Sequence, residues 1–403
     1  DTRTAELGIA CEACHGPAER HLKAHESPLH RVIARRQDHA DPTIFNPGRA
    51  DHVKSAEACG QCHAIRHNRH LDQWHQHGVQ FQPGGDLEAR APLVHYDGTD
   101  LEVPGNEKKR ALMEGSFWSD GQVRVSGREF NGLAATACFT RGQMSCLSCH
   151  SLHHYQDTDD QLGRGMDGNQ ACLQCHDSIG KNLTRHTHHP TGSSGSLCYN
   201  CHMPHTSYGL LKAIRSHTID SPTVATSVKT GRPNACNLCH LDRSLGWTQR
   251  HLEEWYGTPK VTLSAEEETL SAAVLWLLKG DAGQRALLAW HLGWPTARAV
   301  SGTNWLVPFL AETLTDPYAV VRYIGERSLK SIPGFEQLVY DYVGPATERQ
   351  RARQQILDAW RKAPRPVDAP SGTVLLEASG AMQEGAIRAL LRQRNHRKME
   401  LLE

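Results

Sequence analysis

Aromatic residues make up only 6% of this 403-residue chain, and apolar residues of all kinds only 38%. A single large core built from side chains alone would therefore be thin. No apolar run reaches the roughly 18 residues that a membrane-spanning helix needs, which excludes such a span. Net charge is also missing, since 44 acidic residues balance 44 basic ones. That balance gives no ground for expecting nucleic acid or an anionic membrane as partner. No signal peptide is visible. The sequence opens at Asp1, ten residues before the first cysteine, and the reading is of a processed or truncated N-terminus in an exported protein.

Two residue types are abundant instead, with 26 histidines and 13 cysteines. Twelve of the cysteines fall into one pattern, Cys-x-x-Cys-His, repeated six times: Cys11/Cys14/His15, Cys59/Cys62/His63, Cys146/Cys149/His150, Cys172/Cys175/His176, Cys198/Cys201/His202 and Cys236/Cys239/His240. The spacing has a chemical reason. Two residues between the thiols let the sulfurs reach the two vinyl groups on one edge of a haem. The adjacent histidine is then carried under the ring as proximal iron ligand. Zinc ribbons and redox dithiols also use Cys-x-x-Cys, but neither requires a histidine directly after the second cysteine in six copies of six. The pattern predicts six covalently attached c-type haems. Because thioether attachment is completed outside the cytoplasm, it also predicts a periplasmic or extracellular location.

The six motifs occupy the first 240 residues, and roughly 40 residues per haem is too little protein to give each cofactor its own core. The porphyrins are expected to supply much of the missing apolar volume and to lie close together as an electron-conducting array. Regular structure should be sparse. Short helices should carry the motifs, joined by loops such as Gln82-Pro83-Gly84-Gly85 and Thr191-Gly192-Ser193-Ser194-Gly195. Loose alternation of Trp118, Val123 and Val125 suggests a small hairpin between Phe117 and Phe130. Seventeen histidines before residue 241 remain once the six proximal ones are set aside, an ample supply for six distal positions. Several stand beside motifs: His153 follows the third, His205 the fifth, and His186, His188 and His189 precede the fifth. Each can equally be a surface histidine or a propionate partner.

Gly8-Ile-Ala-Cys-Glu-Ala-Cys-His-Gly-Pro17, Met144-Ser-Cys-Leu-Ser-Cys-His150, His188-His189, Cys198-Tyr-Asn-Cys-His-Met-Pro204 and Gly231-Arg-Pro-Asn-Ala-Cys-Asn-Leu-Cys-His240 together resemble the multihaem cytochrome c family related to the tetrahaem cytochrome of nitrifiers, over residues 7–256. The resemblance implies bis-histidine haems used for electron transfer. It favours His21, His52, His153, His188, His189 and His217 as distal ligands. Relatives often carry further motifs upstream, which some of these histidines would serve. Some relatives reduce nitrogen or sulfur oxyanions, so a reductase with one open haem is the alternative to a pure electron carrier. The implied partners are other redox proteins or cytochromes, with a homo-oligomer or filament as a further option.

After His240 the motifs stop. Ser264-Ala-Glu-Glu267 reads as a helix-capping box, followed by Leu270, Ala273, Val274, Leu277 and Leu278 at helical spacing up to Gly280. Helices are also expected over Ala286–Leu292, Trp305–Leu314 and, with Asp316-Pro317 as cap and first-turn proline, through Val320, Val321, Ile324 and Leu329. These pairs read either as HEAT-like repeats offering a surface to partners or as a plain helical cap over the haem array. The expected organisation is mainly α with much irregular structure. A hexahaem cytochrome domain covers 1–256, a HEAT-like helical domain 257–362, and a linker with a last helix near Met382–Arg394 covers 363–403. Cys138 is the one cysteine outside the motifs, read first as an inert buried thiol and otherwise as an iron ligand, a sulfur-substrate site or an intermolecular disulfide. Asp157, Asp159, Asp160 and Asp167 offer oxygen ligands of the kind calcium takes, although a solvated acidic loop explains them as simply.

Overall fold

The computed structural model describes residues 8–36, 39–67, 71–78, 80–96, 107–362, 372–377 and 379–399. The chain is mainly α-helical with much irregular structure, and its β structure among the described residues is one short hairpin and isolated bridges. Two compact units emerge that interleave along the chain. One comprises Asp1–His95, Gly127–Lys181 and His217–Ile219, the other Tyr96–Ser126, Asn182–Ser216 and Asp220–Glu403. The first four cysteine motifs belong to the former. The last two belong to the latter, together with the downstream helices.

The first unit is built from short helices, among them Cys11–His15, Glu19–Ala24, Pro28–Arg35, His52–Gly60, Leu71–His77 and Glu129–Ala134. Its buried apolar cluster is small: Ala56, Phe81, Leu87 and Phe130. Asp51 starts the helix His52–Gly60 by accepting the amides of Val53 (3.0 Å) and Lys54 (3.1 Å). Gly60 ends it where the Phe130 ring lies so close that a Cβ would collide with it, so glycine is the residue that lets helix and ring meet. Asn131 ties separate stretches of irregular chain together. Its amide nitrogen donates to the carbonyls of Ile65 (3.1 Å) and Val94 (3.0 Å), and its oxygen accepts the Ile65 amide (2.9 Å). Side-chain to backbone bonds of this kind satisfy peptide groups that no helix or sheet pairs.

The second unit holds the large apolar core, centred on Leu278, Leu288, Leu292, Trp305, Phe309 and Leu329. Helix Ala282–Gly293 packs on Ala272–Lys279 and Ala319–Lys330, and Leu306–Thr313 packs on Ala319–Lys330 and Ala346–Lys362. Ser264 and Glu267 form the expected capping box. The helix it opens, however, stops at Thr269, and Ser271 caps a fresh one, Ala272–Lys279. The apolar spacing from Leu270 to Leu278 thus runs across a break, because the Ser271 hydroxyl captures the Val274 amide (3.1 Å) and donates to Leu241 O (2.6 Å). The helix after Pro317 begins at Ala319, with Tyr318 at its N-cap. Asp316 accepts the Tyr318 amide (2.9 Å), but its carboxylate mainly receives Arg285, Nε to Oδ2 at 2.7 Å and Nη2 to Oδ1 at 3.0 Å, with both side chains 1% exposed.

The last helix is Glu384–Arg392, and residues 363–371 of the expected linker lie outside the described residues. Within Phe117–Phe130 the chain makes a tight turn, with Phe117 bridging Val123 and the Trp118 amide bonded to Gln122 O at 2.8 Å. Val125 bridges Tyr208 in the separate hairpin Ser207–Gly209/Lys212–Ile214, whose two turn residues, Leu210 and Leu211, have φ of 51° and 56°.

Candidate haem-iron centres

Short helices were expected to carry all six motifs, and the structure corrects this for four of them. Only Cys11–His15 and Cys198–His202 are wholly helical, placing Cys11, Cys14, Cys198 and Cys201 on regular turns. In the other four the helix ends before the second thiol. Cys62 follows the end of His52–Gly60, and Cys175 lies beyond the helix Gln170–Leu173 that holds Cys172. Cys149 and Cys239 each sit just past a three-residue 3-10 turn, Cys146–Ser148 and Cys236–Leu238. Cys149, at φ −124° and ψ −36°, has already left helical geometry.

The turn nevertheless survives in these four motifs, because two backbone bonds converge on the first cysteine's carbonyl. The second cysteine's amide donates to it in Cys62→Cys59 (3.1 Å), Cys149→Cys146 (3.2 Å), Cys175→Cys172 (3.1 Å) and Cys239→Cys236 (3.2 Å). The histidine amide donates to the same oxygen in the motifs of His63 (2.9 Å), His150 (2.9 Å), His176 (2.9 Å) and His240 (2.8 Å). Residues three and four apart on such a turn share a face. The two thiols and the imidazole therefore project to one side, the arrangement a porphyrin edge and its iron require. Cys11, Cys62 and Cys175 are exposed, and the other nine motif cysteines, Cys149 among them, are partly buried.

Four of the motif imidazoles are tied down through Nδ1. Nδ1 donates to a backbone carbonyl in His15 (Phe45 O, 2.8 Å), His150 (Asp160 O, 2.9 Å) and His202 (Asp220 O, 2.8 Å). That bond fixes the tautomer and leaves Nε2 as the donor atom for a metal. In His63 the acceptor is a carboxylate, Glu129 Oε2 at 2.9 Å. The hydrogen bond to Glu129 raises the His63 pKa against the effect of burial. Burial pushes the Glu129 carboxyl up, but the bonds from His63 and the Gly127 amide and the nearby His217 outweigh it and bring the group down to about 2.

Four of the proximal histidines face a second imidazole. His15 faces His153 (ring centres 6.1 Å apart, planes inclined 11°), and His150 faces His217 (6.3 Å, 15°). His202 faces His186 (6.0 Å, 13°), and His240 faces His189 (6.2 Å, 35°). Ordinary aromatic pairs have ring centres about 4.5–7 Å apart, and these pairs fall within that range. Two metal–nitrogen bonds of about 2 Å plus the step from each nitrogen to its ring centre give a separation of about 6 Å. The spacing equally matches an ion held between two nitrogens, and the donor set fits bis-histidine iron.

The pairings of His186 and His189 depend on the residue between them. His188 caps the helix Leu183–Thr187 in the left-handed region, φ 55° and ψ 25°. The chain reverses there, so histidines three apart face different motifs. His188 itself lies flat on Trp255, with ring centres 4.5 Å apart and planes 3° from parallel. Tyr256 holds the His186 backbone by donating to its carbonyl (2.6 Å). His189 donates from Nδ1 to Thr187 O (2.6 Å), and its ring occupies the space that a side chain at Gly195 would need.

Of the six distal histidines expected from sequence, His153, His189 and His217 thus lie opposite proximal ones. His21 instead shares Asp41 with His25 (3.2 and 2.6 Å), His52 donates to Phe139 O (3.2 Å), and His188 is stacked on Trp255. His186 faces a motif histidine although the resemblance did not single it out. The triplet His186-Thr-His188-His189 pointed to the neighbourhood, but which of the three turns inward is set by the kink at His188. Among the described residues no imidazole stands opposite His63 or His176 at comparable spacing. His205 lies in a cage of Trp290, His291 and Trp294, where burial lowers its pKa to about 2. Cys138 sits partly buried in the short helix Ala137–Thr140. Asp157, Asp159, Asp160 and Asp167 do not converge on a common point; among the described residues the one such cluster is His21, His25 and Asp41.

The motifs adjoin one another within each unit. In the first, Gln61 donates to Ala13 O (2.6 Å), the thiols of Cys59 and Cys146 adjoin, His153 from beside the third motif faces the first, and Gln174 donates to Ser148 O (3.1 Å). That last bond joins the residue before Cys175 to the residue before Cys149, so the third and fourth motifs are neighbours. In the second unit, the Cys201 thiol is close enough to Cys236 and Cys239 to raise both, adding to the dominant effect of burial. Burial lowers His240 to about 4 and, more weakly, His186, which keeps these imidazoles neutral, as ligation demands.

No protein-family model and no curated protein matches the chain. The solved structure of the outer cell wall cytochrome OcwA is similar to it at 17% identity and a TM-score of 0.35, covering 80% of this chain and 70% of that one.

Proposed function

We propose that this chain is an exported multihaem c-type cytochrome that carries electrons along six covalently attached haems. The observation that carries the reading is the set of four imidazole pairs at 6.0–6.3 Å, each joining a Cys-x-x-Cys-His histidine to one remote in sequence. A chance cluster of histidines has no reason to select motif histidines four times, nor to hold the rings at the separation of two ligands of one ion.

Bound haem iron supplies a reversible one-electron couple. The protein does the rest. The twelve motif thiols anchor the cofactor edges, His15, His63, His150, His176, His202 and His240 serve as proximal ligands, and His153, His217, His186 and His189 close the opposite face in four centres. Two nitrogen ligands on a rigid backbone favour electron exchange with little rearrangement and leave no room for substrate. The contacts between motifs 1, 2, 3 and 4, and between motifs 5 and 6, support a continuous array within each unit. The helices beyond residue 257 serve as a HEAT-like surface for a redox partner or a further copy of the chain.

The test is production with a c-type maturation system, followed by intact-mass measurement and EPR. Six covalent haems are expected, with low-spin signals from the four centres whose histidines are paired. A protein without covalent porphyrin would overturn the reading, and a dominant high-spin signal with turnover of a nitrogen or sulfur oxyanion would replace the carrier with a reductase.

A further inference from the structure

Three of the proximal histidines donate Nδ1 to a neutral backbone carbonyl, whereas His63 donates to the Glu129 carboxylate. The contact is built rather than incidental. The other carboxylate oxygen is held by the Gly127 amide at 2.8 Å, and the next residue, Phe130, donates its amide to the His63 carbonyl at 2.9 Å. Two adjacent bonds therefore keep segment 127–130 in register with the second motif. Phe130 is in turn locked against Gly60, one residue beyond Cys59. The carboxylate has little freedom to leave the imidazole.

A full negative charge at Nδ1 draws the proton away from the ring and gives the ligating nitrogen imidazolate character. That favours Fe(III) over Fe(II), because the oxidised metal carries the extra positive charge. A backbone carbonyl polarises the ring in the same sense but much less, since a charged acceptor makes roughly twice as strong a hydrogen bond as a neutral one. We propose that Glu129 is a potential-setting residue, holding the haem on Cys59, Cys62 and His63 at a lower potential than a backbone-carbonyl acceptor at His63 Nδ1 would give it. The array of the first unit then has a member whose potential is lowered by this carboxylate, beside the motif of Cys146, whose sulfur adjoins that of Cys59.

This rests on the haem reading above, and the experiment separates the two. Potentiometric titration of the full-length holoprotein, followed optically and by EPR, is compared with that of Glu129→Gln and Glu129→Asp. In Glu129→Gln one component should move upward by about tenfold in its redox equilibrium, 59 mV for one electron, with the remaining components unmoved. Glu129→Asp keeps the charge on a shorter arm and should move the same component by less. That component should be missing from a Cys59→Ser/Cys62→Ser variant. Wild-type and Glu129→Gln curves that superimpose, with six haems attached in both, would overturn the role of Glu129 while leaving the haem reading intact. If Glu129→Gln fails to accumulate, an unmoved component in Glu129→Asp overturns it equally. Absence of covalent haem in the wild type overturns both.

Discussion

His188 and His186 are two positions apart and have opposite surroundings: one ring is stacked on Trp255, the other faces His202. The left-handed backbone of His188 produces that difference. Replacing His186 by alanine should convert one of the four paired, low-spin haems to high-spin, read by EPR, whereas His188→Ala should keep all four low-spin. Gly195 is a second single-residue determinant. A Cβ there would overlap the His189 ring, so Gly195→Ala should displace His189 and produce the same one-haem loss at the sixth motif. Sequence spacing flagged the 186–189 cluster, but nothing local in it encodes the direction in which each ring points.

Among the elements, the junction around Asp316 bears the clearest energetic consequence. Arg285 and Arg394 both donate to this carboxylate, which is 1% exposed. Removing it would leave Arg285 buried without its counter-charge, which costs about 3–5 kcal/mol. Asp316→Ala should lower the denaturant midpoint accordingly, whereas Asp358→Ala, at a half-exposed carboxylate, should barely move it. The sequence reading put Asp316 at the N-cap of the following helix. That local role survives as one bond to Tyr318, and the partner that matters lies 31 residues away. The same lesson holds for the helix expected from Ser264 to Leu278. Its apolar spacing is real, but a serine hydroxyl with a remote carbonyl partner breaks it in two. The motif turns show it on a smaller scale: the Cys-x-x-Cys-His spacing is fulfilled even where the helix stops short of Cys149 or Cys175, because the turn depends on one shared carbonyl acceptor and needs no continuing helix. Helix existence and apolar faces were legible here, and helix ends decided by tertiary hydrogen bonds were not.

For the whole molecule, the second unit's helical core makes stability depend on pH. His291 is fully buried, donates Nε2–H to His205 O (3.0 Å), and burial lowers its pKa to about 4. The unfolded chain takes up this proton near pH 6.5, the folded one only near 4. Stability is therefore complete above about 6.5 and falls as pH drops toward 4, at up to about 1.4 kcal/mol per unit from this group. Urea midpoints between about pH 7 and 5 should show the decline, and His291→Gln should reduce its slope, while His205, shifted in the same direction, preserves part of it. Charge changes on a larger scale as well. With six haems attached as proposed, twelve propionates against six singly positive ferric centres would add about six negative charges to a chain with 44 acidic and 44 basic residues. Isoelectric focusing should place the holoprotein below the apoprotein.

The sequence by itself determined where haem can attach and which histidine follows each anchor. Thioether spacing and proximal ligation are chemistry within five consecutive residues, and one helical turn suffices to present them. It also determined that the apolar helices gather after residue 257, because their faces repeat at helical spacing. Only the tertiary structure decided which histidine stands across from four of the six anchors, which motifs touch, and which motif ring meets a charge instead of a carbonyl. Those are meetings of segments from 16 to 138 residues apart, as in His186 with His202 and His15 with His153. They are fixed by where the intervening loops, a left-handed histidine and a few glycines let the chain turn, and no local pattern carries that information.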